Sequence, residues 1–230
     1  MLLIRSLLFM LWFLAVTTIL SLIFLPVLIL PRGATVWLAR VWARTTFFGL
    51  RVFARIDWEI RGQPPKGPVL VASKHMSMWD TLALWLALEA PGIVLKRELL
   101  RIPFYGWFLW KGAAIAIDRK AGASALRKMS QTARKVLDRG NPILIFPEGT
   151  RKKPGAAPDY KPGVAGLYAM LGVSCVPVAL NSGVYWQGFR KYPGTIVLQF
   201  LEPIPPGLKR GAFMAALEGR IEDATNRLIP

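Results

Sequence analysis

The sequence predicts an α/β protein: a mixed β-sheet covered by helices, with an N-terminal membrane-anchoring helical segment. Three observations carry this. Leu7 to Leu30 is an apolar run with no charged residue between Arg5 and Arg32, and roughly 20 such residues suffice to cross a bilayer core. After residue 56, short apolar runs alternate with helical patterns, as in a sheet covered by helices. The length of 230 residues suits one substantial core with an appendage.

The anchor comes first. No small-residue cleavage site follows the run, so a retained segment fits better than a cleaved signal peptide. Pro26 kinks it, so a shallow re-entrant insertion competes with a full span. The stretch 34–56 then carries Arg40, Arg44, Arg51 and Arg55 and no acidic residue. At roughly 100° per residue these fall within about 60° of one helical face. Trp37, Trp42, Phe47, Phe48 and Phe53 take the other faces. A tryptophan-rich helix with one cationic stripe suits the lipid interface; an ordinary amphipathic helix packed on the domain is the plainer alternative. Residues 1–56 thus read as anchor and interfacial helix, and residues 57–230 as the soluble domain. The arginines after the apolar run place that domain on the cytoplasmic side of the cell inner membrane.

The domain opens after the proline-rich stretch 63–68. Strands are expected at 56–61, 69–72, 93–95, 113–117, 143–146, 175–180 and 196–201. Helices are expected at 78–90, 124–139, 164–171 and 209–228. The second of these has apolar positions 126, 129, 133, 136 and 137 on one face, and Gly140 follows it as a helix stop.

The net charge is +17. Such a surface attracts anionic lipid, nucleic acid or phosphorylated substrates, and charge alone does not choose among them. The single cysteine, Cys175, excludes an intrachain disulfide and lies in an apolar run as a small core residue. With one histidine and one cysteine, the usual structural zinc sites are excluded.

The one histidine, His75, stands five residues before Asp80 in "KHMSMWD". Ser77-Met78-Trp79-Asp80 matches a capping box, with Ser77 as N-cap and Asp80 as third helical residue. Helical side chains lean toward the N-terminus, so Asp80 points back toward His75. In a continuous helix a five-residue offset would separate the two by roughly 140°; the strand–turn–helix break lets them meet. Asp80 would then fix the imidazole tautomer and leave the other nitrogen free to take a proton. The plainer alternative is a helix cap beside a solvated loop histidine.

A second constellation is "IFPEGTRKK", a buried strand running into a polar turn. Gly149 permits close backbone approach, and Arg151 offers a planar fork for phosphate. A third is "VLKRELLRIPFYGWFLWKG", with Lys96, Arg97 and Arg101 among aromatics.

Together these residues resemble the glycerolipid acyltransferases, the family of bacterial 1-acyl-sn-glycerol-3-phosphate acyltransferases. "HMSMWD" is similar to the family's H-x4-D motif and "FPEGTR" to its F-P-E-G-T-R block. "KRELLRIPFYG" resembles its K-x-E-L-x-x-x-P-x-x-G block, continued by "IDR" at 117–119, and "CVPVAL" its V-P-V block. The resemblance implies acyl transfer from an acyl thioester, acyl-CoA or acyl carrier protein, to a lyso-lipid hydroxyl. It implies no metal or redox cofactor, membrane lipids as partners and no nucleic acid. His75 would be the base and Asp80 its orienter. Lys96 and Arg151 would hold the acceptor phosphate, with Glu148, Gly149 and Thr150 completing that pocket. Pro177 would shape the acyl or acceptor site. Met76 departs from the glutamine often found after the family histidine, which opens the acceptor to other lyso-lipids such as lyso-ornithine lipid or lysophosphatidylethanolamine. The oxyanion would be met by backbone N–H groups at the start of the Ser77 helix or by a nearby cation. A rival of another class is a membrane-tethered protein that binds lipid or nucleic acid; its charge fits, but no nucleic-acid-binding signature accompanies it.

Overall fold

In the computed structural model, residues 1–102, 105–112, 114–117 and 122–230 are described. The chain begins with helix α1 (Leu2–Ile23), ends it at Phe24, turns through a 3-10 segment (Leu25–Ile29) and returns as α2 (Arg32–Gly49). Pro26 sits in the first turn of that segment, where its missing N–H costs nothing. It therefore makes a corner, not a kink. The two helices run antiparallel: the indole N–H of Trp12 donates to the Thr45 carbonyl (3.0 Å) and that of Trp42 to Thr17 Oγ1 (3.0 Å). Helix α2 closes in a π-helical turn (Leu50–Ala54), and Arg55 takes a left-handed conformation at φ 56°. The wider turn re-aims the arginine stripe: Arg51 pairs with Asp57 (2.5 Å) over the Trp58 ring.

The strands are β1 (Ile56–Arg61), β2 (Leu70–Ser73), β3 (Gly92–Lys96), β4 (Ile115–Ile117), β5 (Ile143–Ile145), β6 (Cys175–Leu180), β7 (Trp186–Gln187), β8 (Arg190–Lys191) and β9 (Gly194–Phe200). Seven of them form one sheet in the order β1-β9-β6-β2-β5-β3-β4, and β7 pairs with β8 as a small hairpin. The β6–β9 pairing in that sheet is antiparallel and the others are parallel. The remaining helices are α3 (Met78–Ala87), α4 (Tyr105–Lys111), α5 (Gly122–Leu137), α6 (Gly163–Leu171), α7 (Ser182–Tyr185) and α8 (Arg210–Leu228).

Side chains alternate along the strands, so the sheet has a core on each face. Val71, Leu144, Val178 and Leu198 pack with Trp79 of α3 and with Phe9, Phe47 and Leu50 of the helical hairpin formed by α1, α2 and the π-helical turn. Leu70, Ala72, Ile143 and Cys175 pack with Met129, Leu167 and Phe213 of α5, α6 and α8. Residues 1–56 therefore share a core with the sheet. Their outer side stays apolar and open: Leu3, Leu11, Leu14, Leu22 and Trp37 are all more than half exposed. Among the described residues, Leu2–Ile23 is the one helix long and apolar enough to cross a membrane, and 11% of its apolar window is buried. A soluble core helix would bury most of it.

Candidate active site

Strands β2, β5 and β3 are parallel neighbours, so their C-terminal ends open on one edge of the sheet. Ligands of open α/β sheets bind in that crevice. His75 follows β2, "FPEGTR" follows β5 and Lys96 ends β3. At about 4.8 Å between strands, β3 lies roughly 10 Å from β2.

His75 and Asp80 meet. Ser77 is the N-cap of α3 and the capping box is complete, with Asp80 reaching back over the turn. His75 Nδ1 lies 3.0 Å from Asp80 Oδ2. The same oxygen accepts the backbone N–H groups of Met76 (2.6 Å) and Ser77 (2.8 Å). Oδ1 accepts from Ser77 Oγ (3.0 Å) and from the Ser182 hydroxyl. Asp80 is fully buried, where a carboxylate unpaired with donors would cost several kcal/mol. The imidazole lies flat on Phe146, with centroids 4.0 Å apart and an interplanar angle of 21°. Stack and hydrogen bond fix the ring while its side chain keeps 12% exposure, which leaves Nε2 facing the crevice.

The two loops are stitched together: the Lys152 N–H donates to the His75 carbonyl (2.8 Å). Gly149 has φ +64°, a conformation that favours glycine, and it turns the chain so that Thr150 and Arg151 face solvent. Lys96 is also exposed. Glu148 points the other way. It is buried and pairs with Lys74 Nζ (3.0 Å), which also meets Glu222 of α8 (2.7 Å). Tyr160 donates to Glu222 (2.8 Å). Burial pushes the Glu148 carboxyl up, opposed by the hydrogen bond and charge of Lys74. Glu148 thus braces the loop from within.

Met76 and Pro177 are both buried. Met76 is 7% exposed and packs on α7, where a Cβ on Gly183 would come within 2.9 Å of Met76 Cβ. Its departure from glutamine falls on a packing position. Pro177 is buried in β6, beside Ala72 of β2. Its carbonyl accepts from Leu201 (3.0 Å), while Cys175 exchanges both bonds with Ile204. The segment opposite, after β9, holds one extra residue there, so the missing proline N–H falls at a bulge. The N–H groups of Met76 and Ser77, just before α3, donate to Asp80, and that of Trp79 donates to Ser77 Oγ (3.2 Å). Pro103, Phe104, Asp118 and Arg119, which belong to the third block, lie outside the described residues.

Beside Thr81, one residue past Asp80, opens an apolar cavity of about 440 Å³. Leu82 and Trp85 of α3, Thr17 and Leu20 of α1, Leu38 and Trp42 of α2, and Phe108 of α4 line it. Sequence reasoning missed this cavity, because four helices, α1 to α4, build it from residues spread between 17 and 114. It also missed Lys74, although a lysine at the end of a buried strand beside the lone histidine was a usable signal. Nothing local marks Ser182 or Glu222.

A model of the Acyltransferase family matches residues 55–181, which include both loops and β6. A 1-acyl-sn-glycerol-3-phosphate acyltransferase of Pseudomonas aeruginosa is 40% identical over 173 residues, covering 73% of this chain and 67% of that one. The chain belongs to the acyltransferase family. The human 1-acyl-sn-glycerol-3-phosphate acyltransferase alpha is 31% identical over 194 residues, with 80% and 68% covered. The crystal structure of the 1-acyl-sn-glycerophosphate acyltransferase PlsC from Thermotoga maritima superposes with a TM-score of 0.77 at 22% identity, over 97% of this chain and 98% of that one. The acyltransferase described here therefore shares that fold, including the hairpin.

Proposed function

We propose that this acyltransferase moves an acyl chain from a thioester, acyl-CoA or acyl carrier protein, to the free hydroxyl of 1-acyl-sn-glycerol-3-phosphate, giving phosphatidic acid. The observation that carries the chemistry is the fixed His75–Asp80 pair (3.0 Å), with Nε2 turned to the crevice. The acceptor is argued from the names of the relatives and from exposed Arg151 and Lys96 on the same edge. The acceptor hydroxyl gives its proton to Nε2 as its oxygen attacks the thioester carbonyl carbon. The carbon–sulfur bond then breaks, and the imidazolium returns the proton to the leaving thiolate. A positioned base typically contributes 10²–10⁴-fold. The step balances with the two substrates and His75, so the reading uses no metal or redox cofactor.

Arg151 and Lys96 hold the phosphate, Gly149 and Thr150 shape the turn beside it, and the cavity near Thr81 takes the acyl chain. The hairpin lies in one leaflet, on the cytoplasmic side of the inner membrane, and keeps the crevice where both lipids partition. Its apolar outer side and the net charge of +17 support this placement.

The test supplies purified protein in lipid nanodiscs with a panel of lyso-lipids and both donors. Lysophosphatidic acid should be the best acceptor. Arg151→Ala should raise its KM by about tenfold, with the donor KM within about twofold, as loss of a charge-assisted contact predicts. Acylation of lysophosphatidylethanolamine or lyso-ornithine lipid but not lysophosphatidic acid would sink the acceptor assignment. A larger rise in the donor KM would reverse the role of Arg151.

A further inference from the structure

Asp80 has two carboxylate oxygens, and His75 uses one. The other, Oδ1, faces Ser77 Oγ (3.0 Å) and the Ser182 hydroxyl. Ser182 opens α7, directly after β6 and Asn181, and is fully buried. Its placement is not loose. At the next residue, Gly183, a Cβ would lie 2.9 Å from Met76 Cβ and 3.0 Å from Pro154 Cδ. The backbone of α7 is thus pressed onto the loop that bears the pair, which aims Ser182 at Asp80. The serines also touch each other at 2.9 Å. Each hydroxyl has one proton, so Ser182 donates to Asp80 and Ser77 donates to Oδ1 or to Ser182.

We infer that Ser182 is a positioning residue for the His75–Asp80 pair, holding Asp80 Oδ1 so that Oδ2 faces His75. It does two things. It fixes the plane of the carboxylate from the side opposite the histidine. It also draws negative charge toward Oδ1, because a hydrogen bond to a carboxylate spreads its charge. Without it, more charge remains on Oδ2 and the imidazolium is favoured. The surrounding charges do not compete for this role. Asp80 meets His75 by a hydrogen bond, Lys74 is turned to Glu148 and Glu222, and Lys152 reaches His75 through its backbone N–H.

His75 is the only histidine in the chain, so one imidazole signal reports the effect without any assay of turnover. The experiment is a ring-nitrogen NMR titration of the full chain in lipid nanodiscs, for the parent, Ser182→Ala and Ser182→Cys. In Ser182→Ala the ring should titrate at higher pH by about half a unit to one unit, the size expected for losing one donor to the partner charge. Ser182→Cys, a weaker donor of similar size, should fall between. The acid limb of kcat/KM should move with the ring, and kcat should drop about tenfold with both KM values within about twofold. A merely structural serine would lower melting temperature and leave the ring alone. Folded Ser182→Ala titrating as the parent does would overturn the inference; if that variant does not fold, Ser182→Cys decides by the same reading. The rate effect rests on His75 being the base, and the titration does not. A ring that moves while the acid limb stays put would uphold Ser182 and reject the base.

Discussion

Lys74 and Asp80 stand on either side of His75 in the chain, both buried (2% and 0% exposed), and the protein compensates them in opposite ways. Asp80 is surrounded by neutral donors and one imidazole: two backbone N–H groups, two hydroxyls and His75. Lys74 is held by charge, between Glu148 and Glu222. The first arrangement is redundant, since any one donor can leave while the carboxylate stays solvated by the rest. The second is not. One ammonium serves two carboxylates that arrive from a loop and from the last helix, and Glu148 Oε2 already has no partner among the described residues. The redundant network surrounds the pair proposed as base and orienter. The ionic one ties α8 to the segments that follow β2 and β5.

The largest expected effect tests the redundant side. His75→Ala should cut kcat by about 10²–10⁴, the range for a lost general base. Asp80 keeps four donors, so the fold should survive with a melting temperature lower by only a few degrees, mostly from the lost Phe146 stack. Activity above about a tenth of the parent's would contradict the base. A collapse of the fold would break the comparison, because it would mean that Asp80 depends on His75 as Lys74 depends on its partners.

That contrast also decides what could be read from sequence. Four of the five donors to Asp80 come from residues 75–77, so the capping box and its back-pointing aspartate were legible as a local pattern. The strand 175–180 was legible for the same reason: it is a short run buried at every residue. The partners of Lys74 lie 74 and 148 residues away, and Ser182 lies 102 from Asp80. No spacing rule reaches that far. The resemblance implies Glu148 beside the acceptor, and the inward turn of its side chain toward Lys74 is not written in the motif. The apolar run was legible as an anchor, but its return at Pro26 was read as a kink, since proline marks a break without saying where the chain goes next.

The next effect tests the ionic side. Lys74→Met should leave the buried Glu148 and the half-buried Glu222 without their cation, and removing one partner of such a cluster costs about 3–5 kcal/mol. The variant should express poorly or melt many degrees lower. Adding Glu148→Gln and Glu222→Gln should recover much of the loss, since what hurts is the uncompensated charge and not the missing methylenes. Thermal denaturation of the single and triple variants checks this. A single variant as stable as the parent would show that Lys74 contributes no net compensation.

A third buried charge sharpens the comparison and carries the smallest effect. Lys191 of β8 is fully buried, beneath the N-terminal turns of α1. Its backbone N–H donates to Ser6 Oγ (2.9 Å), and its ammonium donates to the carbonyls of Gly188 (2.5 Å) and Phe189 (3.1 Å). It lies over the rings of Trp186 (4.6 Å) and Phe9 (5.6 Å). Dipoles and ring faces stand in for a counter-ion. They compensate incompletely, and burial pushes Lys191 down to about 8 from the ordinary 10.5. Below pH 8 both folded and unfolded chains hold the proton, so the folded state bears the full burial cost. Between about 8 and 10.5 the folded chain releases it first, so this group's contribution to stability rises with pH. Lys191→Met should remove that rise, and the difference in melting temperature between variant and parent should shrink by a few degrees from pH 8 to pH 10. A difference that stays constant across that window would mean the ammonium under α1 is as well compensated as Asp80.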